Sequence, residues 1–184
     1  GAEFQCFAPD IPQHHVLNHI TGEEMPETRN VLVESARIAR GKIKDLKAFK
    51  ESDFDALIFP GGVGAAKNLC TYAMDGPNCT VNDDVARAIR AMHAAGKPIG
   101  ALCIAPVLLA RVLGNVELTT GQDQGTANDL AAMGAHHTPT SQGEIAVDRA
   151  NKVVTTPCYM LQSGVDQIGT GADNLVRAVL ELCG

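Results

Sequence analysis

Cys103 closes a short apolar run, Pro98-Ile-Gly-Ala-Leu-Cys103-Ile-Ala-Pro106, and a helical pattern starts directly after it. Ile99 to Leu102 read as a buried strand and Ile104 to Val112 as a helix, which sets Cys103 on the turn between them. A side chain on a strand-to-helix turn projects out of the sheet, and the backbone N–H groups that follow point at the same spot. A helix N-terminus favours anions and lowers a thiol pKa, so a sulfur placed there tends toward thiolate. The chemistry is nucleophilic attack by sulfur. The competing reading is a buried structural cysteine, since free cysteine is among the most buried residue types.

A second motif favours the nucleophile. Pro60-Gly-Gly-Val-Gly-Ala-Ala-Lys-Asn-Leu69 ends one strand as Cys103 ends the next long one. In a parallel sheet both carboxyl ends lie on one edge, where ligands bind. Glycines let backbone N–H groups approach a substrate oxygen closely. Gly62 and Ile104 are therefore the candidate oxyanion donors facing Cys103, with Gly61 and Asn68 as further substrate-binding candidates. The loop could instead be a phosphate-binding turn or a plain tight turn. It is not Walker A, because Asn follows Lys67 and the spacing is wrong, and it is not G-x-G-x-x-G.

A cysteine nucleophile commonly takes a histidine as its base. His14, His15 and His19 fall in an irregular early segment, His93 near a helix end, and His136-His137 after a helix stop. His15 and His19 have the i, i+4 spacing of a helical metal pair, but no third ligand is placed nearby, so no metal is expected. No histidine falls just after a strand downstream of Cys103; Gln122-Asp123 stand there instead. A Cys-His-acid triad is not readable. Arg29, Glu34, Arg37 and Arg40 form a charged helix face that reads as solvated, with an anion-binding role for Arg29 or Arg37 as the alternative.

The elements that must position these residues alternate. Phe4 to Ala8 reads as a strand, residues 11 to 29 as irregular, Val31 to Arg40 as a helix capped by Asn30, and Ile43 to Leu46 as a brief strand. Ala56 to Phe59 is apolar throughout, as a strand covered on both faces tends to be. A helical segment from Ala65 to Ala73 follows, then a helix over 82–95 with Thr80 as its N-cap. After the Cys103 turn come a strand at Val116 to Thr120, a helix at Thr126 to Met133, a hairpin of Glu144 to Asp148 with Lys152 to Thr156, and a helix from Val165 to Leu182. Strands alternating with helices predict an α/β fold with a parallel, doubly wound sheet.

Bulk properties agree. The 184 residues fit one domain, with 45% apolar and 20% charged residues. A net charge of −6 and a pI near 5.4 argue against nucleic acid or an anionic membrane as the main partner. No apolar run approaches the roughly 20 residues of a membrane span, and the absence of a basic-then-apolar leader predicts no export. The six cysteines lack C-x-x-C spacing, which suits a reducing compartment rather than a disulfide framework or zinc site.

Phe59-Pro-Gly-Gly-Val-Gly-Ala-Ala-Lys-Asn-Leu69 together with Gly96-Lys-Pro-Ile-Gly-Ala-Leu-Cys-Ile-Ala-Pro106 resembles the PfpI-type, class I glutamine amidotransferase-like superfamily. More narrowly it is similar to the ElbB branch, the isoprenoid biosynthesis glyoxalase proteins. Further matching stretches are His19-Ile-Thr-Gly22, Thr28 to Gly41 and Val154-Thr-Thr-Pro157. The resemblance implies a flavodoxin-like three-layer α/β/α sandwich over residues 1–184, Cys103 as elbow nucleophile, and Gly62 with Ile104 as oxyanion site. It implies conversion of glyoxal to glycolate without glutathione, metal or other cofactor, a small aldehyde as the bound partner, a homodimer, and a cytoplasmic location, or a mitochondrial one in a eukaryote. In the family a strand, a loop and a helix carrying a glutamate precede the segment matching Phe4, and that glutamate is the implied base. The chain is therefore expected to lack its first strand-helix unit, which a longer protein or another chain would supply. Ile104 stands where the protease-like branch has histidine, so peptidase activity is not expected. The alternatives are a non-catalytic redox or stress sensor with an oxidisable Cys103 and, third, an amidotransferase-like subunit, against which the unplaced histidine counts.

Overall fold

A computed structural model describes residues 1–184, which divide into two compact units, 1–50 and 51–184. In the first unit, β1 (Cys6–Ala8) pairs in parallel with β2 (Ile43–Asp45), so a crossover must join them. The crossover contains α1 (Val31–Ile38). Asn30 caps it as expected, its side-chain oxygen accepting the Val33 N–H at 3.0 Å. The helix stops short of Arg40, which with Gly41 takes positive φ. Residues 11–29 form no helix or strand run, holding only the isolated bridges Pro12–Asn30 and Leu17–Glu24. Phe7 meets Phe49 edge to face at 5.5 Å between ring centres, over a core of Ala8, Val16, Val31 and Leu46.

The second unit is built on a four-stranded sheet. Its strands are β3 (Leu57–Phe59), β4 (Ile99–Leu102), β7 (Ala146–Asp148) and β8 (Val153–Thr156), in the order β3-β4-β8-β7. The first three run parallel, and β7 is antiparallel to β8 as the second arm of the expected hairpin. A separate parallel pair, β5 (Glu117–Leu118) and β6 (His136–His137), abuts it. The Thr119 N–H donates to the Thr155 hydroxyl at 2.8 Å, and the Glu117 N–H to the Asp148 carboxylate at 2.9 Å.

Helices cover both faces of the sheet, and the fold is a flavodoxin-like α/β/α sandwich. α3 (Asp83–Ala94) and α4 (Pro106–Leu113) pack on one face of β4, α6 (Val165–Cys183) on the other, and α5 (Gln124–Ala132) lies against α4 and β6. Strand alternation sends Gly100 toward α6. A Cβ there would lie 2.9 Å from Leu175 Cδ2 and 3.2 Å from Val179 Cγ2, so the helix can seat this closely only on glycine. Val154, Leu175 and Val179 form the core beneath α6, while Ile89, Met92, Ile99, Leu108 and Leu109 are fully buried elsewhere in the unit.

Several boundaries differ from the sequence reading, each for a local reason. The α3 cap is Asn82, not Thr80: its side-chain oxygen accepts the N–H groups of Asp84 at 3.1 Å and Val85 at 3.2 Å. Asn82→Ala should cost about 1 kcal/mol, read as a lowered denaturation midpoint. The segment at Ala65 to Ala73 is broken. A π-helical turn spans Ala65–Leu69, Cys70 leaves it in extended conformation to pair with Val81, and a short α2 follows (Tyr72–Asp75). α5 starts two residues early, because Asp123 caps it by accepting the Thr126 N–H at 2.7 Å.

Asp148 ties β5 to the hairpin. It accepts the Glu117 N–H, the Asn151 amide at 2.7 Å and the Asn151 N–H at 3.0 Å. Burial raises its pKa, but these donors outweigh burial and hold the carboxyl below its ordinary 3.8. A folded-state pKa below the unfolded one gives stability that is complete above pH 3.8 and lost as pH falls through the folded value. Asp148→Asn should therefore destabilise the protein at neutral pH, with a deficit against wild type that shrinks in acid. Urea midpoints across pH 2–7, within the range where carboxylates titrate, measure it; a deficit constant with pH would refute the assignment.

Candidate active site

Because β3, β4 and β8 are parallel neighbours, their carboxyl ends open on one edge. Three turns meet there: Pro60-Gly61-Gly62, Cys103-Ile104-Ala105 and Pro157-Cys158. Cys103 has φ +59°, a left-handed conformation uncommon outside glycine. Its N–H donates to the Thr156 carbonyl at 2.9 Å, and the Ala105 N–H closes the turn onto the Leu102 carbonyl at 3.0 Å. Helix α4 begins at Pro106 rather than Ile104, since the left-handed Cys103 cannot continue a helix and proline suits the first helical position. Cys103 is half-buried, and so is Ile104 beside it.

Gly61 lies against the elbow. At φ +85°, its added Cβ would stand 2.4 Å from the Leu102 carbonyl oxygen and 2.9 Å from Cys103 Cβ. Gly62 also has positive φ, but a Cβ there would meet nothing within 4 Å. No group of the chain accepts a hydrogen bond from the N–H of Gly61, Gly62 or Ile104, so none of these donors is used by the fold. Asn68 sits in the π-helical turn that follows the loop, its amide nitrogen 3.7 Å from where a Gly64 Cβ would be. The sequence thus identified two loops of this edge, and the structure brings Gly61 into contact with the cysteine itself.

The other thiols of this unit are held differently. Burial pushes the Cys70 thiol up to about 11, and its sulfur donates to the Ala65 and Ala66 carbonyls. Burial also raises Cys79, partly offset by the Arg111 guanidinium. Cys158 is raised by burial first and then by the neighbouring Cys103. The histidines go to structural bonds: His93 pairs with Asn151 at 3.2 Å, His136 with Asn115 at 2.8 Å, and His137, pushed down by burial, accepts from the Thr120 N–H. Sequence reasoning did not single out the Pro157-Cys158 turn. The signal available to it was Val153 to Thr156, a wholly β-branched strand that runs into a proline-cysteine turn.

No family model matches the sequence. A human mitochondrial protein named glutamine amidotransferase-like class 1 domain-containing protein 3 is 52% identical over 194 residues, covering 100% of this chain and 72% of its own length. A rat protein, the mitochondrial ES1 protein homolog, is 50% identical and covers 100% of the chain and 73% of itself. The chain belongs to the ES1 family of class I glutamine amidotransferase-like proteins. Among solved structures, an isoprenoid biosynthesis protein with amidotransferase-like domain from Ehrlichia chaffeensis superposes with TM-score 0.89 at 32% identity, over 98% of this chain and 84% of that one. This agrees with the family and sandwich that the two quoted motifs imply. A glyoxalase III from Candida albicans shares the fold at TM-score 0.51 and 16% identity, over 80% of this chain and 68% of its own. The ES1 relatives are mitochondrial by name, and no helix of this ES1-family chain is long and apolar enough to cross a membrane.

Proposed function

We propose that this ES1-family chain is part of a cysteine-dependent glyoxalase that converts glyoxal and related 2-oxoaldehydes to 2-hydroxy acids without glutathione or metal. The observation that supports it best is the left-handed Cys103 elbow packed against Gly61, with the N–H groups of Gly62 and Ile104, the next residue in each loop, left without a partner in the chain. In this reading Cys103 sulfur adds to one aldehyde carbon, and the carbonyl electron pair moves onto oxygen. The N–H groups of Gly62 and Ile104 hold that charge. Transfer of the hydrogen from the sulfur-bearing carbon to the second carbon, and of a proton to the second oxygen, gives a thioester of glycolate. Water then releases glycolate and regenerates the thiol, so glyoxal plus water becomes glycolic acid. The proton transfers need one base, which in the family this chain resembles is a glutamate. The protein, assayed for glycolate from glyoxal without glutathione, tests the reading. Turnover supports it; no turnover, with Cys103 still readily oxidised, would favour the non-catalytic redox sensor.

A further inference from the structure

We propose that Cys158 is the resolving thiol of Cys103, so that a hydroperoxide converts the elbow into a reversible Cys103–Cys158 disulfide rather than an irreversibly oxidised cysteine. The backbone brings the pair together. β4 and β8 are parallel neighbours with Leu102 opposite Thr156, and the Cys103 N–H is bonded to the Thr156 carbonyl. Cys103 is one residue beyond that rung and Cys158 two beyond it. Adjacent strands lie about 4.8 Å apart, and disulfides span Cα separations of about 4.4–6.8 Å. Both residues take left-handed backbone, φ +59° and +46°, so both strands turn at the same level of the sheet edge. Cys158 also feels the charge of Cys103, which raises its thiol, and the Cys103 N–H, which lowers it.

Exposure orders the steps. Cys103 is half-buried, whereas Cys158 is 9% exposed, so a small hydroperoxide meets Cys103 first. Cys103 thiolate attacks the peroxide oxygen, the O–O bond breaks, and an alcohol or water leaves, giving a sulfenic acid. Cys158 then attacks that sulfur as thiolate; the S–S bond forms, and the S–O bond breaks with loss of hydroxide, which takes the Cys158 proton as water. The peroxide is the two-electron oxidant. Burial first, and then the negative charge of a Cys103 thiolate, push the Cys158 thiol upward. A sulfenic acid is neutral, which removes the charge contribution at the step where Cys158 must ionise. Cys70 and Cys79 hydrogen-bond each other and are fully buried, so they form a separate pair.

The proposal rests on the Cys103 sulfur reacting with peroxide but not on turnover. Wild type, Cys158→Ala, Cys103→Ser and Cys70→Ser are treated with a molar excess of hydrogen peroxide and digested without reductant for peptide mass spectrometry. Wild type and Cys70→Ser should show one peptide linking Cys103 to Cys158, cleared by dithiothreitol. Cys158→Ala should instead accumulate Cys103 sulfinic acid that dithiothreitol does not reverse. Sulfinic acid forming equally in wild type and Cys158→Ala, a crosslink at Cys70–Cys79 alone, or no oxidation at Cys103 would each overturn the proposal. Glyoxal turnover, measured separately, judges the enzymatic reading: a wild-type crosslink without turnover keeps this inference and sinks that one.

Discussion

Cys103→Ser should abolish glycolate formation from glyoxal, lowering kcat/KM at least about a thousandfold, because a serine hydroxyl is far less acidic than a thiol and a much poorer nucleophile at neutral pH. The substitution keeps the size of the side chain, so the thermal midpoint should stay near that of wild type. Cys70→Ser should retain turnover, since its thiol is buried, raised to about 11 and bonded within the π-helical turn. Equal activity in both variants would remove Cys103 from the chemistry.

Gly61→Ala should damage stability and activity together. Holding alanine at φ +85° costs about 1–2 kcal/mol. Its Cβ would also fall 2.4 Å from the Leu102 carbonyl oxygen and 2.9 Å from Cys103 Cβ, so loop or elbow must move. A displacement of the nucleophile near 1 Å can lower the rate on the order of a hundredfold. Gly62→Ala separates the two effects. It has φ +87° but no neighbour within 4 Å of the added carbon, so it bears only the conformational cost. Denaturation should rank wild type above Gly62→Ala and Gly62→Ala above Gly61→Ala. Gly61→Ala matching Gly62→Ala in stability would show that the elbow contact yields freely.

Much of this site is legible in the linear order of residues. Ala56 to Phe59 and Ile99 to Leu102 are apolar strands with turn chemistry at their ends, and strand–turn–helix is a local grammar. The misplaced boundaries come from nonlocal competition. Cys70 leaves the helical pattern because Val81 offers its backbone a partner. His136–His137 forms a strand only because Val116 and Leu118 accept its hydrogen bonds and that of the residue after it. Asn82 rather than Thr80 caps α3 because Thr80 is engaged with Thr71, donating its N–H to the Thr71 hydroxyl at 3.0 Å and accepting the Thr71 N–H at its carbonyl.

The sequence by itself determined where the candidate site residues stand: a cysteine on the turn between strand and helix, and a glycine loop at the end of the neighbouring strand. Those are properties of neighbours in the chain, set by side-chain type and backbone freedom. Only the tertiary structure decided that β4 pairs with β8, and hence that Cys158 stands one strand away from Cys103. An apolar strand carries the period of its burial but not the identity of its partner. Strand order is chosen by how the whole set of helices and strands packs at once, so two cysteine turns far apart in sequence become one site only in the fold.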